Sequence, residues 1–336
     1  VVNINPIYTA RELANVATDS GFRVLITLDR LATLALELRD GSDLEHVIVT
    51  SLSEYSSEPA AAPQIAGTIA LADLTSTDDG EDLPRVVIAP EDLAVLQYTG
   101  GTTGTPKGAM LTHGNIFANV VQTESWQYRS LHRGEGRYLL VIPYFHIYAF
   151  TVGMMCGIWV GGLQIISPTY DVEQVLTALR DFRPTYFPAV PTVFVSLLAH
   201  PKVKEYRLDQ VRTFNSGGAP CPVEVIEEFE RRIGRPLNEG YGLSETSPVT
   251  HSTPHLARRK PGTIGLPLPD TDMKIVDVET GTREMPIGEA GELCIAGPQV
   301  MKGYWNKPDE SASVLRRHAD GRIWFHTGDV ATMDED

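Results

Sequence analysis

The stretch YTGGTTGTPKGAMLTH, residues 98–113, decides how the rest of the chain is read. From Thr99 to Thr105 no side chain is larger than threonine, and three positions are glycine. Such a run can fold closely over a ligand and offer backbone N–H groups and hydroxyls to phosphate oxygens. Lys107 adds one mobile cation. The stretch is not the common GxxxxGK[ST] loop, because Pro106 stands where that loop needs glycine and Gly108 where it needs Ser or Thr. A plain Gly/Thr turn between AVLQYT and GAMLT is the competing reading.

Outward from this loop the chain alternates helix and strand signals. On its N-terminal side, residues 10–21 read as an amphipathic helix closed by Gly21, FRVLITL as a strand, residues 30–39 as a second helix and HVIVTS as a strand. Residues 52–84, rich in Ser, Pro, Ala and Asp, read mostly as an exposed acidic loop, and VVIA (86–89) and AVLQYT (94–99) as strands. Beyond the loop follow a helix near 114–126 and a strand at 138–142. Residues 171–242 then repeat the helix–strand alternation through TYFPAV, RTFNSG and PLNEGYG. Alternating βα units imply an α/β layered fold. After Pro267, MKIVDV and GELCIAG are β runs with no helix between them, which implies a small antiparallel sheet or barrel.

Residues 147–166, IYAFTVGMMCGIWVGGLQII, carry no charge and are just long enough to span a bilayer. Gly161-Gly162 should break that helix, so we expect a soluble core helix packed closely through Gly153 and Gly157, then a short buried strand.

Composition bounds the function. A length of 336 residues suggests about two domains, and 42% hydrophobic with 21% charged residues is ordinary globular usage. Lys and Arg number 28 against 43 Asp and Glu, a net charge of −15, so no general footprint for nucleic acid or anionic lipid exists. Cys156, Cys221 and Cys294 lack disulfide or zinc-cluster spacing and fit a reducing cytosol. No basic segment precedes an apolar one as in a signal peptide. Val1 and Asp336 both read as cut ends.

YTGGTTGTPKG resembles the phosphate-loop signature of the adenylate-forming enzymes, which include acyl-CoA synthetases, luciferases and peptide-synthetase adenylation domains. PYFHIYAF (143–150), NSGGAP (215–220), EGYGLSETSP (239–248) and HTGD (326–329) match further motifs in the expected order, and GEAGELCIAGPQVMKGYWNKP (288–308) matches a structural one. NPIYTARELANVATDSG, RKPGTIGLPLPD and the EGYGLSETSP variant look most like bacterial long-chain fatty-acid–CoA ligases.

The resemblance implies two half-reactions: a carboxylate attacks the α-phosphorus of ATP, and the CoA thiol then displaces AMP. It implies a phosphate cradle of Thr99, Gly100, Gly101, Thr102, Thr103, Gly104 and Lys107, with Mg²⁺ held by Glu245 and Thr99, since a hard cation takes oxygen ligands. Gly217, Gly218, Ala219, Glu239, Gly240, Tyr241, Gly242 and Ser244 would surround adenine, Tyr241 by stacking, while Asp329 would take both ribose hydroxyls. Lys107, Glu245 and His146 are the catalytic candidates, and His146 and Phe150 the acyl-pocket candidates. No acid follows Phe145, so the wall at 146–152 suits an apolar acyl tail better than an amino acid's ammonium. Gly101, Ser244 and Glu239 depart mildly from the commonest family residues, the last in agreement with the long-chain bacterial subgroup.

These readings imply a large adenylate-forming N-terminal domain: an α/β subdomain over 1–168 with the phosphate loop, a second over 169–266 with the adenine segments, and a β-barrel-like subdomain over 267–336 ending before the hinge. The C-terminal lid domain would be absent and turnover by this piece impaired. The expected activity is fatty acid–CoA ligation with ATP, Mg²⁺ and CoA, in the cytoplasm. Peripheral contact with the inner membrane face and homodimerisation stay open. An aryl or short-chain acid as substrate, or a non-catalytic nucleotide-binding homologue, remain as alternatives.

Overall fold

The computed structural model describes residues 1–76, 85–99, 106–128, 132–167, 169–255 and 257–336. Gly100, Gly101, Thr102, Thr103 and Gly104 of the expected phosphate cradle therefore lie outside the described residues. Two compact units form, Val1–Ala89 with Tyr98–Gly108, and Pro90–Gln97 with Ala109–Asp336.

In the smaller unit, β1 (Val2–Asn3), α1 (Ala10–Ser20), β2 (Val24–Leu28), α2 (Ala32–Glu37), β3 (His46–Thr50), β4 (Ile69–Ala70) and α3 (Leu71–Ser76) follow one another. Thr9 and Glu12 cap α1 reciprocally, and Gly21 ends it at φ 65°. The parallel strands β2, β3 and β4 bury Val47 and Val49 against Leu13, Ala35 and Leu38. The described part of residues 52–84 is loop interrupted by a 3-10 turn at Leu52–Tyr55, β4 and α3. One expectation is corrected. VVIA at 86–89 is not in a strand: Val86, Val87 and Ile88 are exposed, so these β-branched residues do not pack on a half-buried surface.

Strands β5 (Leu93–Thr99) and β6 (Lys107–Thr112) have residues in both units. The larger unit continues with α4 (His113–Trp126), β7 (Arg137–Leu140), α5 (Cys156–Trp159) entered through a π-helical turn Ala149–Met155, β8 (Leu163–Ile166), α6 (Val172–Phe182), β9 (Tyr186–Ala189), α7 (Pro191–Ala199), β10 (Thr213–Ser216), α8 (Val223–Ile233), β11 (Leu237–Gly242), β12 (Val249–Ser252) and β13 (Leu266–Pro267). Among the described residues these strands make a seven-stranded sheet in the order β13-β12-β11-β10-β9-β7-β8. The five from β8 to β11 run parallel, and β12 and β13 turn antiparallel at the edge. Strands from both sides of residue 168 share this sheet, so the division proposed there runs through a hydrogen-bonded layer.

Alternation along the strands separates two cores. Leu139, Phe187 and Phe214 face α6, α7 and α8 and pack with Leu176, Phe194 and Phe229. Tyr138, Leu140 and Tyr186 face the other way and meet Val120 of α4 with Val152 and Cys156. The apolar stretch 147–166 is thus a core helix followed by β8, but β8 is not the buried strand expected: it lies at the edge of the sheet with Leu163 and Ile166 exposed. A Cβ at Gly153 would lie 2.8 Å from Leu140 Cδ2, so glycine there lets that leucine pack directly on the helix backbone. No helix among the described residues is long and apolar enough to cross a membrane.

The last segment holds β14 (Asp272–Val276), β15 (Gly291–Ala296), α9 (Pro308–Val314), β16 (Leu315–Arg317) and β17 (Ile323–Ala331). Its strands form an antiparallel sheet in the order β14-β15-β17-β16.

Candidate active site

Strands β10 and β11 run parallel with Ser216 opposite Glu239, so their carboxyl ends deliver Gly217-Gly218 and Gly240–Ser244 to the same edge. There, within the larger unit, lies a cavity of about 180 Å³. Gly217, Gly218, Gly240, Tyr241, Gly242, Ser244 and His146 of the expected site line it, together with Tyr148 and Trp126. Ala219, Glu239, Glu245, Phe150 and Asp329 are not among its lining residues.

Backbone proximity explains the glycines. The buried Tyr148 ring lies against Gly217, and its hydroxyl donates to the Asn215 carbonyl at 3.3 Å. A Cβ on Gly242 would sit 2.2 Å from the Pro248 carbonyl oxygen, which no side chain tolerates.

Tyr241 joins the cavity to the end of the chain. Its ring meets His251 edge-on at 6.0 Å, and its hydroxyl donates to Oδ2 of Asp329. Burial, then the Asp329 carboxylate, raise the phenol's pKa, so it stays a donor. Asp329 itself is exposed on β17 and its N–H donates to Thr327 Oγ1 at 3.1 Å. The preceding Gly328 N–H donates to Glu292 Oε1 at 2.9 Å.

Glu245 sits in the 3-10 turn Ser244–Thr246 that follows β11. Tyr304 donates its hydroxyl to Glu245 Oε1 at 2.7 Å, and Met301 N–H donates to the Glu245 carbonyl at 2.8 Å. The same short segment pairs with β6: Met110 N–H donates to the Gly303 carbonyl at 2.9 Å and Lys302 N–H to the Met110 carbonyl at 3.0 Å. Residues 301–304 therefore tie the strand leaving the Gly/Thr loop to Glu245. Glu245 is half-buried, and Oε2 shows no hydrogen bond among the described residues, leaving one oxygen suited to a hard cation.

Other candidates take different surroundings. Glu239 Oε2 accepts the Gly262 N–H at 2.9 Å, and burial raises its carboxyl pKa. His146 is exposed where it borders the cavity; its Nδ1 accepts the Tyr148 N–H at 3.2 Å, and desolvation lowers its pKa, favouring the neutral ring. Phe150 packs with Ile147, Leu243 and Tyr304 instead of on the cavity wall. Lys107, half-buried, opens β6 in the smaller unit, and Thr99 closes β5. Sequence reasoning did not single out Tyr304, Tyr148 or Trp126; for Tyr304 the signal was its place in QVMKGYWNKP, read only as structural.

Comparison with known proteins defines the class. The family described as AMP-binding enzyme matches residues 1–305, and the chain belongs to that family. It is 41% identical over 351 residues to a long-chain-fatty-acid–CoA ligase of Bacillus subtilis, covering 100% of this chain and 61% of that protein. A ligase of the same name from Salmonella typhimurium is 35% identical over 352 residues, with 100% and 62% covered. Among solved structures, a long-chain-fatty-acid-CoA ligase (FadD1) from Archaeoglobus fulgidus superposes with a TM-score of 0.82 at 28% identity, covering 99% of this chain and 65% of the other. The chain thus spans 61–62% of the length of these curated relatives.

Proposed function

We propose that the protein containing this chain is a fatty acid–CoA ligase that activates a medium- or long-chain carboxylate with ATP and passes the acyl group to CoA. The observation carrying this reading is the 301–304 segment, which connects the exit strand of the Gly/Thr loop to Glu245 while Tyr241 connects the cavity to Asp329. Attack of a carboxylate on a polyanion needs charge neutralisation and in-line alignment. In this reading Thr99, Gly100, Gly101, Thr102, Thr103, Gly104 and Lys107 hold the β- and γ-phosphates, and Asp329 takes the ribose. Gly217, Gly218, Ala219 and Gly240–Gly242 bound the adenine. Mg²⁺, held by Glu245 with Thr99, supplies neutralisation of phosphate charge when bound. Neutral His146 borders the acyl carboxylate without adding a fixed charge.

Fatty-acid-dependent exchange of pyrophosphate into ATP tests the reading directly, and no exchange in the whole protein would refute it. A second reading has support of its own. The chain is 31% identical over 339 residues to 4-coumarate-CoA ligase 2 of Narcissus pseudonarcissus. A panel of acids graded by chain length and ring content separates aryl from fatty substrates. Cytoplasmic action belongs to the first reading; vesicle flotation and sedimentation decide whether the protein also touches the inner membrane face or pairs with itself.

A further inference from the structure

The sheet of β14–β17 holds a second cluster of chemistry-bearing side chains, none of them given a role in the ATP site above. Cys294 on β15 and His326 on β17 are register partners, so their side chains share a face, and Glu292 projects beside them across a local irregularity in the ladder. One donor atom from each lies within 4.8 Å of the other two. Cys294 Sγ stands 3.5 Å from His326 Nδ1, and Glu292 Oε2 stands 2.8 Å from the same nitrogen. Cys294 and His326 are buried, while the Glu292 side chain is 16% exposed and opens the cluster to solvent on one side.

We propose that Glu292 Oε2, Cys294 Sγ and His326 Nδ1 form a binding site for a zinc-like divalent cation, separate from the ATP site. Zn–S and Zn–N bonds of about 2.3 and 2.0 Å at a tetrahedral angle put sulfur and nitrogen about 3.5 Å apart. That is the spacing the thiol and imidazole already have. The carboxylate–imidazole pair, now hydrogen-bonded, opens by about half an ångström to admit the ion. Three protein donors of mixed O, N and S type leave the fourth position for water.

The surroundings supply the outer contacts such a site needs. His318 Nε2 faces His326 Nε2 at 3.0 Å, and Gly328 N–H holds the other Glu292 oxygen at 2.9 Å. The His318 ring is 6% exposed, and its Nδ1 has no hydrogen-bond partner. Without metal, His326 Nδ1–H donates to Glu292 and His318 Nε2–H donates to His326. On binding, the metal takes His326 Nδ1. The proton moves to His326 Nε2 and is donated to His318 Nε2, whose own proton passes to Nδ1. The Cys294 thiol loses its proton to solvent, so one proton leaves per cation bound. Burial and then the neighbouring Glu292 carboxylate favour the protonated thiol in the empty site, while Lys274 and Arg316 act in the opposite sense. Lys274 is balanced by Glu284 and Asp320, each at 3.7 Å.

Titration of metal-free protein with Zn²⁺ and with Co²⁺, in excess Mg²⁺ and without nucleotide, tests this. We expect one equivalent to bind, with a cobalt–thiolate absorption band and release of a proton. Cys294→Ser should abolish the band and weaken binding at least tenfold, while Cys221→Ser and Glu245→Gln leave both unchanged. If Cys294→Ser does not fold, Glu292→Gln, which keeps an acceptor for Gly328, must still weaken Zn²⁺ binding at least tenfold. Absence of saturable binding, or binding unaltered by the Cys294 or Glu292 variant, overturns the proposal.

Discussion

Replacing Tyr304 by Phe removes one oxygen and leaves the ring, 8% exposed, packed among Leu111, Ile147 and Phe325. What is lost is the hydrogen bond to Glu245 Oε1 at 2.7 Å. Burial, then the Glu245 charge, raise the Tyr304 pKa, so the hydroxyl is a donor throughout the neutral range. A hydrogen bond to a charged group contributes roughly 1.5–3 kcal/mol. Glu245 is half-buried, so water replaces part of that, and the lower end applies: ~1.5 kcal/mol, or about tenfold. The proposed role of Glu245 turns this into a rate. Fatty-acid-dependent pyrophosphate–ATP exchange should fall about tenfold and need more Mg²⁺ for half-saturation, with the thermal midpoint lower by only a few degrees. A well-folded Tyr304→Phe protein with wild-type exchange and Mg²⁺ dependence would refute the claim that the 301–304 segment orients Glu245 for chemistry.

Asp329→Ala should weaken AMP binding by calorimetry on the order of tenfold or more, because a charge-assisted contact worth roughly 1.5–3 kcal/mol is lost; unchanged affinity would remove Asp329 from the ribose site. Gly242→Ala forces a methyl against the Pro248 carbonyl and should cost roughly 1–3 kcal/mol in denaturant unfolding. Phe229, fully buried with ring centroids 4.9 Å from Phe214 and 5.4 Å from Phe194, should lose roughly 3–5 kcal/mol on truncation to Ala in the same assay. His251 is buried and its pKa is lowered to about 4 by desolvation. The unfolded chain therefore binds its proton first, and stability is complete above about pH 6.5 and lost as pH falls toward 4. The loss is on the order of 3 kcal/mol, and His251→Gln should flatten the pH dependence of urea unfolding across that window.

Much of this fold was legible because its signals were local. Gly21 and Gly234 close helices α1 and α8 as left-handed caps, and the short runs TYFPAV and RTFNSG between helical segments marked strands that prove buried on both faces. The failures share one cause, which is that partners distant in sequence decide the outcome. VVIA has strand composition, yet Val86, Val87 and Ile88 stay exposed. Helix α4, expected near 114–126 and found at His113–Trp126, was legible even though its buried Asn119 and Gln122 reach the Val249 and Pro269 carbonyls at 2.7 Å. Of the site, the motif glycines and Tyr241 could be named from the sequence. Tyr304 could not, because its role depends on a bridge to Ala109 far earlier in the chain.

Why the chemistry-bearing motifs fall where they do follows from the sheet. A parallel strand ends at one edge and its successor must return over a helix, so consecutive strands present their carboxyl ends side by side. SGGAP follows β10 and EGYGLSE spans the end of β11, and these two strands are neighbours in the sheet. After β11 the chain turns back antiparallel through β12, which places Glu245 in the intervening turn and leaves it facing the strap at 301–304. Had β12 continued the parallel pattern through another helix, the turn would be replaced by a crossover and the carboxylate would have no fixed relation to Tyr304. The antiparallel edge is therefore as necessary to the proposed metal ligand as the glutamate itself. Inserting two glycines between Thr246 and Ser247 should accordingly abolish exchange while leaving the Phe214–Phe229 core intact by near-ultraviolet dichroism, and retained exchange would show that the turn does not fix the carboxylate.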